Sequence, residues 1–586
     1  MALPTELLDL IIIGAGIYGV CAANIYLSLH PEASILVLDA DEHPGGVWSR
    51  TRLYPKFYSQ TGSRLCGFPD VPFKLPEGAD TFHDLFEAKH LSRYFDEYLD
   101  RQVYDGRSLR ERFVFGFWVG DVRKDGDGVW IVTGKGKEGE RMFRAKKTIV
   151  ATGSFTQPFV PDLPGREKFK GPILHQKDFG RSRVLTAEEK DIERHTNVTV
   201  LGGAKSAADI VYAAATDSNH PRTVTWIIRT SGVGPLLMTH PKGFGKYRSL
   251  PEVASTRIVA AMSSADPFAA ETWWDWFTHR TSVGEWLINK VWTQDGPASA
   301  KLAGFDSREG RLEGFEGLRS TTQTRWRSGH AGIIQRGDWW DVIARKVRVV
   351  RGEIERLEED RIVLQDGTKV ESDLVLAATG WVHGHTCFSA AEKARLGLPL
   401  DLQQDADFVE DEKQHWQNLD EQAERKVHKR WPYLASAPKF EQRPETSTPY
   451  RLYKLCVPIT DQSIAFLGIP LLPNSYHTAV ATTLWAIATL DGAHALPSPA
   501  AMEADVAFMS RWCANRYPVA GGLGNLIEFE MVSYTDSLLR ELGLSSHRKE
   551  GWWADLTDPV LASDYAGVVD EFRRMRDGKG GDGVAA

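Results

Sequence analysis

Cysteine is scarce in this 586-residue chain: Cys21, Cys66, Cys387, Cys456 and Cys513 are odd in number, widely spread and form no C-x-x-C pair. That excludes a disulfide scaffold, a zinc ribbon and a dithiol redox couple, and it fits a reduced, cytoplasmic location. Basic charge is also short. Seventy Lys and Arg against 78 Asp and Glu leave a net charge of −8, which offers no field to hold nucleic acid or an anionic membrane. No stretch of about 18 apolar residues runs uninterrupted. The best candidate, 465–490, is broken by Pro470, Pro473, Asn474 and His477, so no membrane span is expected. The opening residues carry Glu6 and Asp9 ahead of a short apolar run and lack the basic start of a secretory signal. No G-x-S-x-G follows a strand, which removes the hydrolase nucleophile elbow.

What is present implies more than one core, because single cores stop growing at roughly 250 to 300 residues. Leu10-Ile11-Ile12-Ile13 has the length and composition of a buried parallel strand, and Gly14-Ala15-Gly16-Ile17-Tyr18-Gly19 follows at once. A helix-like segment comes next, then the apolar Ile35-Leu36-Val37-Leu38, which ends in Asp39, 20 residues beyond Gly19. This is a dinucleotide fingerprint in its full context. Gly14 makes a tight turn, Gly16 lets backbone approach a pyrophosphate, Gly19 allows close helix packing, and Asp39 accepts from a ribose hydroxyl.

A comparable unit begins at Val198-Thr199-Val200-Leu201, followed by Gly202-Gly203-Ala204-Lys205-Ser206-Ala207. Its next strand, Val224-Thr225-Trp226-Ile227-Ile228, ends in Arg229 where the first unit has Asp39. An arginine there suits a ribose 2′-phosphate, so the second nucleotide is expected to be NADPH. Each unit then passes through alternating strand-like segments, 113–148 and 347–373, into an apolar strand closed by Ala151-Thr152-Gly153 or Ala378-Thr379-Gly380. The expected fold class is α/β, with two Rossmann-like dinucleotide-binding domains, β-meander excursions and a helical insertion. Two nucleotides held face to face suit hydride transfer.

The insertion, at about 232–335, holds Trp273, Trp274, Trp276, Trp286 and Trp292. It reads either as an ordinary Trp-containing core or as a cap over a bulky hydrophobic substrate. His383 and His385 have no third ligand in view and read as loop residues after the second closure, so no metal is expected. His175 reads as structural. Residues 401–430 are charged and read as a solvated helix or linker, and 573–586 as a frayed tail.

Together these residues resemble the class B flavin monooxygenases, which comprise flavin-containing monooxygenases and their Baeyer-Villiger relatives, most closely the divergent fungal members of specialised metabolism. Gly14-x-Gly16-x-x-Gly19 resembles the FAD fingerprint, Gly45-Gly46-Val47-Trp48 the family's G-G-x-W, and 202–207 with Asp209 the NADPH motif. Phe169-x-Gly171-x-x-x-His175-x-x-x-Phe179 resembles the family's linker, and 373–381 its D-x-x-x-x-A-T-G-[YW] closure.

The resemblance implies bound FAD and NADPH, and O2 carried as a flavin C4a-(hydro)peroxide to a hydrophobic small molecule for N-, S- or alkene oxidation. It implies cofactor contacts from Gly14, Gly16, Gly19, Asp39, Gly46, Val47, Trp48, Ser59, Gln60, Thr61, Thr152 and Gly153 in the first unit. In the second it implies contacts from Gly202, Gly203, Ser206, Ala207, Asp209, Arg229, Thr379 and Gly380. Gln60 stands where the family has an active-site Asn and is the candidate catalytic amide. Phe179-Gly180 replaces the Trp and Pro or Asp that end the Baeyer-Villiger linker, which favours the flavin-containing monooxygenase branch. Baeyer-Villiger oxidation of a ketone is the alternative, and a nucleotide-binding pseudoenzyme or redox sensor is a third of another class. The implied layout places the first part of the FAD domain at 1–165, the NADPH domain at 166–385, a linker at 386–449, and the rest of the FAD domain with the tail at 450–586. A homo-oligomer is left open.

Overall fold

The computed structural model describes residues 6–182, 184, 195–217, 221–263, 265–382, 384–440 and 445–579. Leu7–Ile13 is the central strand of a seven-stranded sheet. It pairs in parallel with Ile35–Asp39 on one side and with Gly139–Val150 on the other. Phe113–Phe115 extends the sheet beyond Ile35–Asp39, and Ile464–Phe466 pairs with the end of Gly139–Val150, both in parallel. The strand Gly139–Val150 has two uses. Its second half lies in the parallel core, while its first half carries the antiparallel strands Trp130–Gly136 and Trp118–Lys124.

Leu10, Ile11 and Ile12 are fully buried, as expected of a strand covered on both faces. One cover is the helix Ile17–Leu29, which packs on Tyr476–Leu490, a helix buried along its whole length. A helix buried all round needs neighbours on every side, and this one lies between the sheet, the first helix and Met531–Glu541. The segment after residue 450 therefore returns to the first sheet.

The second sheet is wholly parallel and five-stranded, in the order Ile173–His175, Leu374–Ala377, Asn197–Leu201, Thr223–Ile228, Val347–Arg351. The antiparallel trio Ile354–Leu357, Arg361–Leu364 and Lys369–Glu371 forms its excursion. Both predicted Rossmann-like units with meander excursions are thus present.

Between Thr223–Ile228 and Val347–Arg351 the described residues form six α-helices, from Leu250–Ala254 to Trp339–Lys346, and a short parallel pair, Leu237–Thr239 with Ala331–Ile333. The Trp residues here do not form one core. Trp273, Trp276 and Trp286 are 70%, 49% and 59% exposed. Trp274 and Trp292 instead donate their indole N–H groups to the carbonyls of Ala261 and Met262.

The chain's last third clamps this insertion. Arg257 bonds Asp536 and ion-pairs with Asp555, Trp512 donates to the carbonyl of Ala265, and Tyr247 donates to that of Thr557. The stretch 406–430 is one helix, Ala406–Arg430, whose buried Val409, Trp416, Ala423 and Val427 form a stripe against Pro499–Arg516. The frayed-tail reading fails over 573–579, because Val568–Lys579 is a helix. Its Phe572 is buried and its Arg573 donates to the carbonyl of Ser28.

Candidate active site

The first fingerprint forms the turn its glycines require. Gly14 has φ +110°, and a Cβ there would overlap the carbonyl of Ala151 in the first closure. A Cβ on Gly19 would overlap the carbonyl of Gly14, so helix and turn can meet only without a side chain at 19. Gly16 faces the G-G-V-W segment: a Cβ on Gly46 would lie 3.1 Å from the Cα of Gly16. The helix Ile17–Leu29 begins at Gly16 with no side-chain cap and no acidic residue in its first turn. Its first N–H groups are unmet by side chains, and the macrodipole adds partial positive charge: a cradle for an anion such as pyrophosphate. Asp39 closes the cradle, its carboxylate accepting from the N–H of Ala15 at 2.5 Å and of Asp41 at 2.6 Å. Burial pushes its pKa above the usual carboxylate value.

The second turn repeats the design. Gly202 has φ +127°, and a Cβ there would overlap the carbonyl of Ala378 in the second closure. The fully buried Trp226 donates its indole N–H to the carbonyl of Gly202 at 2.7 Å. Lys205–Ala215 also starts without a side-chain cap or a first-turn acid. Arg229 is exposed at the end of Thr223–Ile228. In both closures the glycine leaves open space where a Cβ would stand, Gly153 at φ +68° and Gly380 at φ +99°. The two turns and their surroundings therefore fit two dinucleotides.

Some expected residues have other partners. Asp209 is buried and pairs with Lys205, one turn earlier on the same helix. The hydroxyl of Thr379 donates to the carbonyl of Phe159. His175 donates from Nε2 to the carbonyl of Gly380 at 2.8 Å, and its Nδ1 accepts from the N–H of Lys177 at 3.1 Å. Burial lowers its pKa, so it holds the closure as a neutral ring. His385 is buried with Nε2 3.4 Å from the hydroxyl of Tyr450, while His383 lies outside the described residues. A Cβ on Gly180 would lie 2.5 Å from the backbone of Arg52 and Leu53, which explains why nothing larger follows Phe179 in this linker.

Gln60 lies where the units meet. Its Oε1 accepts from the N–H of Ile333 at 3.2 Å, a residue of the insertion. Three residues before it, the ring of Phe57 stacks with Trp48 at a centroid distance of 5.7 Å and with Tyr54 at 4.8 Å. Three residues missed in the sequence join here: Lys205, Gln335 and Arg336. Gln335 donates to the carbonyls of Tyr58 at 2.8 Å and Ser59 at 3.2 Å, and it accepts from Lys205 at 2.9 Å. The Arg336 guanidinium lies 3.4 Å from the ring centre of Tyr58. Lys205 stands inside the second fingerprint and was visible there as a charge at a position opening a buried helix; Gln335 carries no local signal.

This geometry agrees with known proteins. Residues 11–242 match the pyridine nucleotide-disulphide oxidoreductase family, although the chain lacks that name's dithiol. The FAD-dependent monooxygenase resA of Aspergillus sclerotiorum is 30% identical over 589 residues, covering 96% of this chain and 98% of that protein. This chain belongs to the FAD-dependent monooxygenases. A second such monooxygenase, rstn6 of Aspergillus nomiae, is 30% identical over 97% of the chain and 98% of its own length. Among solved structures, an open form of cyclohexanone monooxygenase shares the fold at a TM-score of 0.57 and 16% identity, over 92% of this chain and 98% of that one. The monooxygenase keeps its five cysteines unpaired, and burial pushes the thiol of Cys387 up to about 12. Among the described residues no cluster of three or more His, Cys, Asp or Glu could hold a metal, and no helix is long and apolar enough to cross a membrane.

Proposed function

We propose that this monooxygenase draws electrons from NADPH and uses O2 to oxygenate a hydrophobic small molecule at nitrogen, sulfur or an alkene. The reading is carried by one observation: the loop that follows the first nucleotide turn reaches the second unit through the Gln60 to Ile333 hydrogen bond. When bound, FAD accepts the hydride of NADPH and activates O2 for transfer of one oxygen atom. The chain's own part is binding, orientation and exclusion of water. The uncapped helix start at Gly16 binds the FAD pyrophosphate, with Asp39 on the ribose. Val47 and Trp48 line the path toward the reacting end, and Thr61, Thr152 and Gly153 border it, while the fully buried Ser59 shapes the loop by donating to the carbonyl of Thr61 at 2.8 Å. The helix start at Ala204, with Gly202, Gly203, Ser206 and Ala207, binds the NADPH pyrophosphate, and Arg229 takes the 2′-phosphate. Gly380 leaves room beside the closure, and Gln60 meets the reacting edges. A reduced, cytoplasmic setting, supported by the unpaired cysteines, belongs to the same proposal.

The test is isotopic. With NADPH and labelled O2, a panel of apolar amines, sulfides, alkenes and ketones should yield a product carrying one labelled oxygen from one of the first three classes. A labelled lactone from a ketone would instead move the enzyme to the Baeyer-Villiger reading, and hydrogen peroxide alone across the panel would overturn the proposed substrate class.

A further inference from the structure

Two amides from opposite units are oriented here by partners that leave no choice. Gln335 is 5% exposed. An ammonium only donates and a backbone carbonyl only accepts, so the bond from Lys205 at 2.9 Å fixes its oxygen, and the carbonyls of Tyr58 and Ser59 fix its nitrogen. Gln60 is oriented by the same logic. The N–H of Ile333 only donates, so it must face Oε1, and the Gln60 amide nitrogen has no protein acceptor among the described residues.

The neighbouring residues support a built junction. Arg336, next after Gln335, covers the Tyr58 ring and reaches Asp80 at 2.8 Å, the carboxylate that also accepts from the Tyr58 hydroxyl at 2.9 Å. The run 333–336 thus grips the run 58–60 at three points. Lys205 reaches Gln335 by passing Gly332, where a Cβ would lie only 2.7 Å from its Cδ. The helix that opens the second fingerprint is therefore connected, through Lys205 and Gln335, to the loop that carries Gln60.

We propose that Gln335 is a positioning residue that holds the Gln60 loop from the second unit, so that Gln60 turns its amide N–H groups toward the reaction cleft. This rests on the proposed function for the identity of the cleft, though the contact itself does not. An amide that turns its N–H groups toward an acceptor stabilises negative charge there.

The test uses the purified, flavin-loaded enzyme and reads hydrogen exchange at the Ile333 amide, which reports whether Gln60 still covers it. Gln60→Ala exposes that amide and sets the reference. Gln335→Met, which keeps length but neither donates nor accepts strongly, should raise exchange there by about tenfold or more, toward the reference. In Gln60→Ala/Gln335→Met no further rise is expected, because both changes break one linkage. Gln335→Glu still accepts from Lys205 but cannot donate to the two carbonyls, and it should behave as Gln335→Met does; it serves if the Met variant folds poorly. If Ile333 stays protected in both Gln335 variants while Gln60→Ala exposes it, the positioning role is overturned. Gln60→Glu tests the donor claim: it keeps an acceptor for Ile333 but should slow anaerobic bleaching of the flavin by NADPH at least as much as Gln60→Ala. Bleaching as fast as in the unaltered enzyme would overturn the donor role of Gln60. Failure of the unaltered enzyme to bleach would strike the NADPH reading, with the exchange result still deciding the contact.

Discussion

The indole nitrogen of Trp226 holds the carbonyl of Gly202 at 2.7 Å, so the second nucleotide turn rests on a ring buried in the strand beneath it. Phe at 226 keeps most of the ring but strands the carbonyl, at a cost of about 1–3 kcal/mol. Trp226→Phe should therefore lower the melting temperature and weaken NADPH binding while flavin content stays near that of the unaltered enzyme. Equal loss of both cofactors would contradict the local role.

The first turn is less forgiving. Gly14 combines φ +110° with backbone contact to Ala151, so Gly14→Ala meets both a strained conformation and a clash. The expected outcome is a colourless protein, read from the ratio of flavin to protein absorbance.

Arg229 is exposed and can be removed without disturbing a core. Arg229→Ala should raise the KM for NADPH by about tenfold or more and leave that for NADH unchanged, since only NADPH carries the 2′-phosphate. Parallel loss for both nucleotides would place Arg229 outside the site.

Asp266 supplies a pH signature. It is buried within the insertion, facing the charge of Glu530, and burial followed by that neighbouring charge raises its pKa to about 7. The folded state therefore retains a proton that the unfolded chain releases near the ordinary aspartate value of 3.8, and stability falls as pH rises from there through about 7. Asp266→Asn still accepts from the N–H groups of Phe268 and Ala269 and carries no charge. Its melting temperature should exceed that of the unaltered enzyme at pH 8, with the gain shrinking toward pH 4. A gain independent of pH would rule out the buried charge as its source.

Much of this fold is local and could be read from the chain. Leu10 to Ile13 announces a strand because it is buried on both faces, and Gly14 to Gly19 and Gly202 to Ala207 announce turns because their glycines have to meet backbone. The closures at 151–153 and 378–380 were equally plain. What was hidden depends on distant partners. Gln335 meets Tyr58 and Ser59 across 276 residues or more, and no pattern around it marks that contact. Residues 573–579 are charged enough to resemble a tail, and only Phe572 and the bond from Arg573 to Ser28 show why they fold. The Trp-rich segment left two readings open for a similar reason: rings alone do not say whether they face a core or a cleft, and three of them face solvent.

The central claim is that one chain brings NADPH to FAD. The direct measurement is anaerobic mixing of the purified yellow enzyme with NADPH while the flavin band near about 450 nm is followed. Bleaching by NADPH, with return of the band when O2 is admitted, is the predicted result. A flavin that stays oxidised with NADPH, even with the substrate panel present, would contradict it.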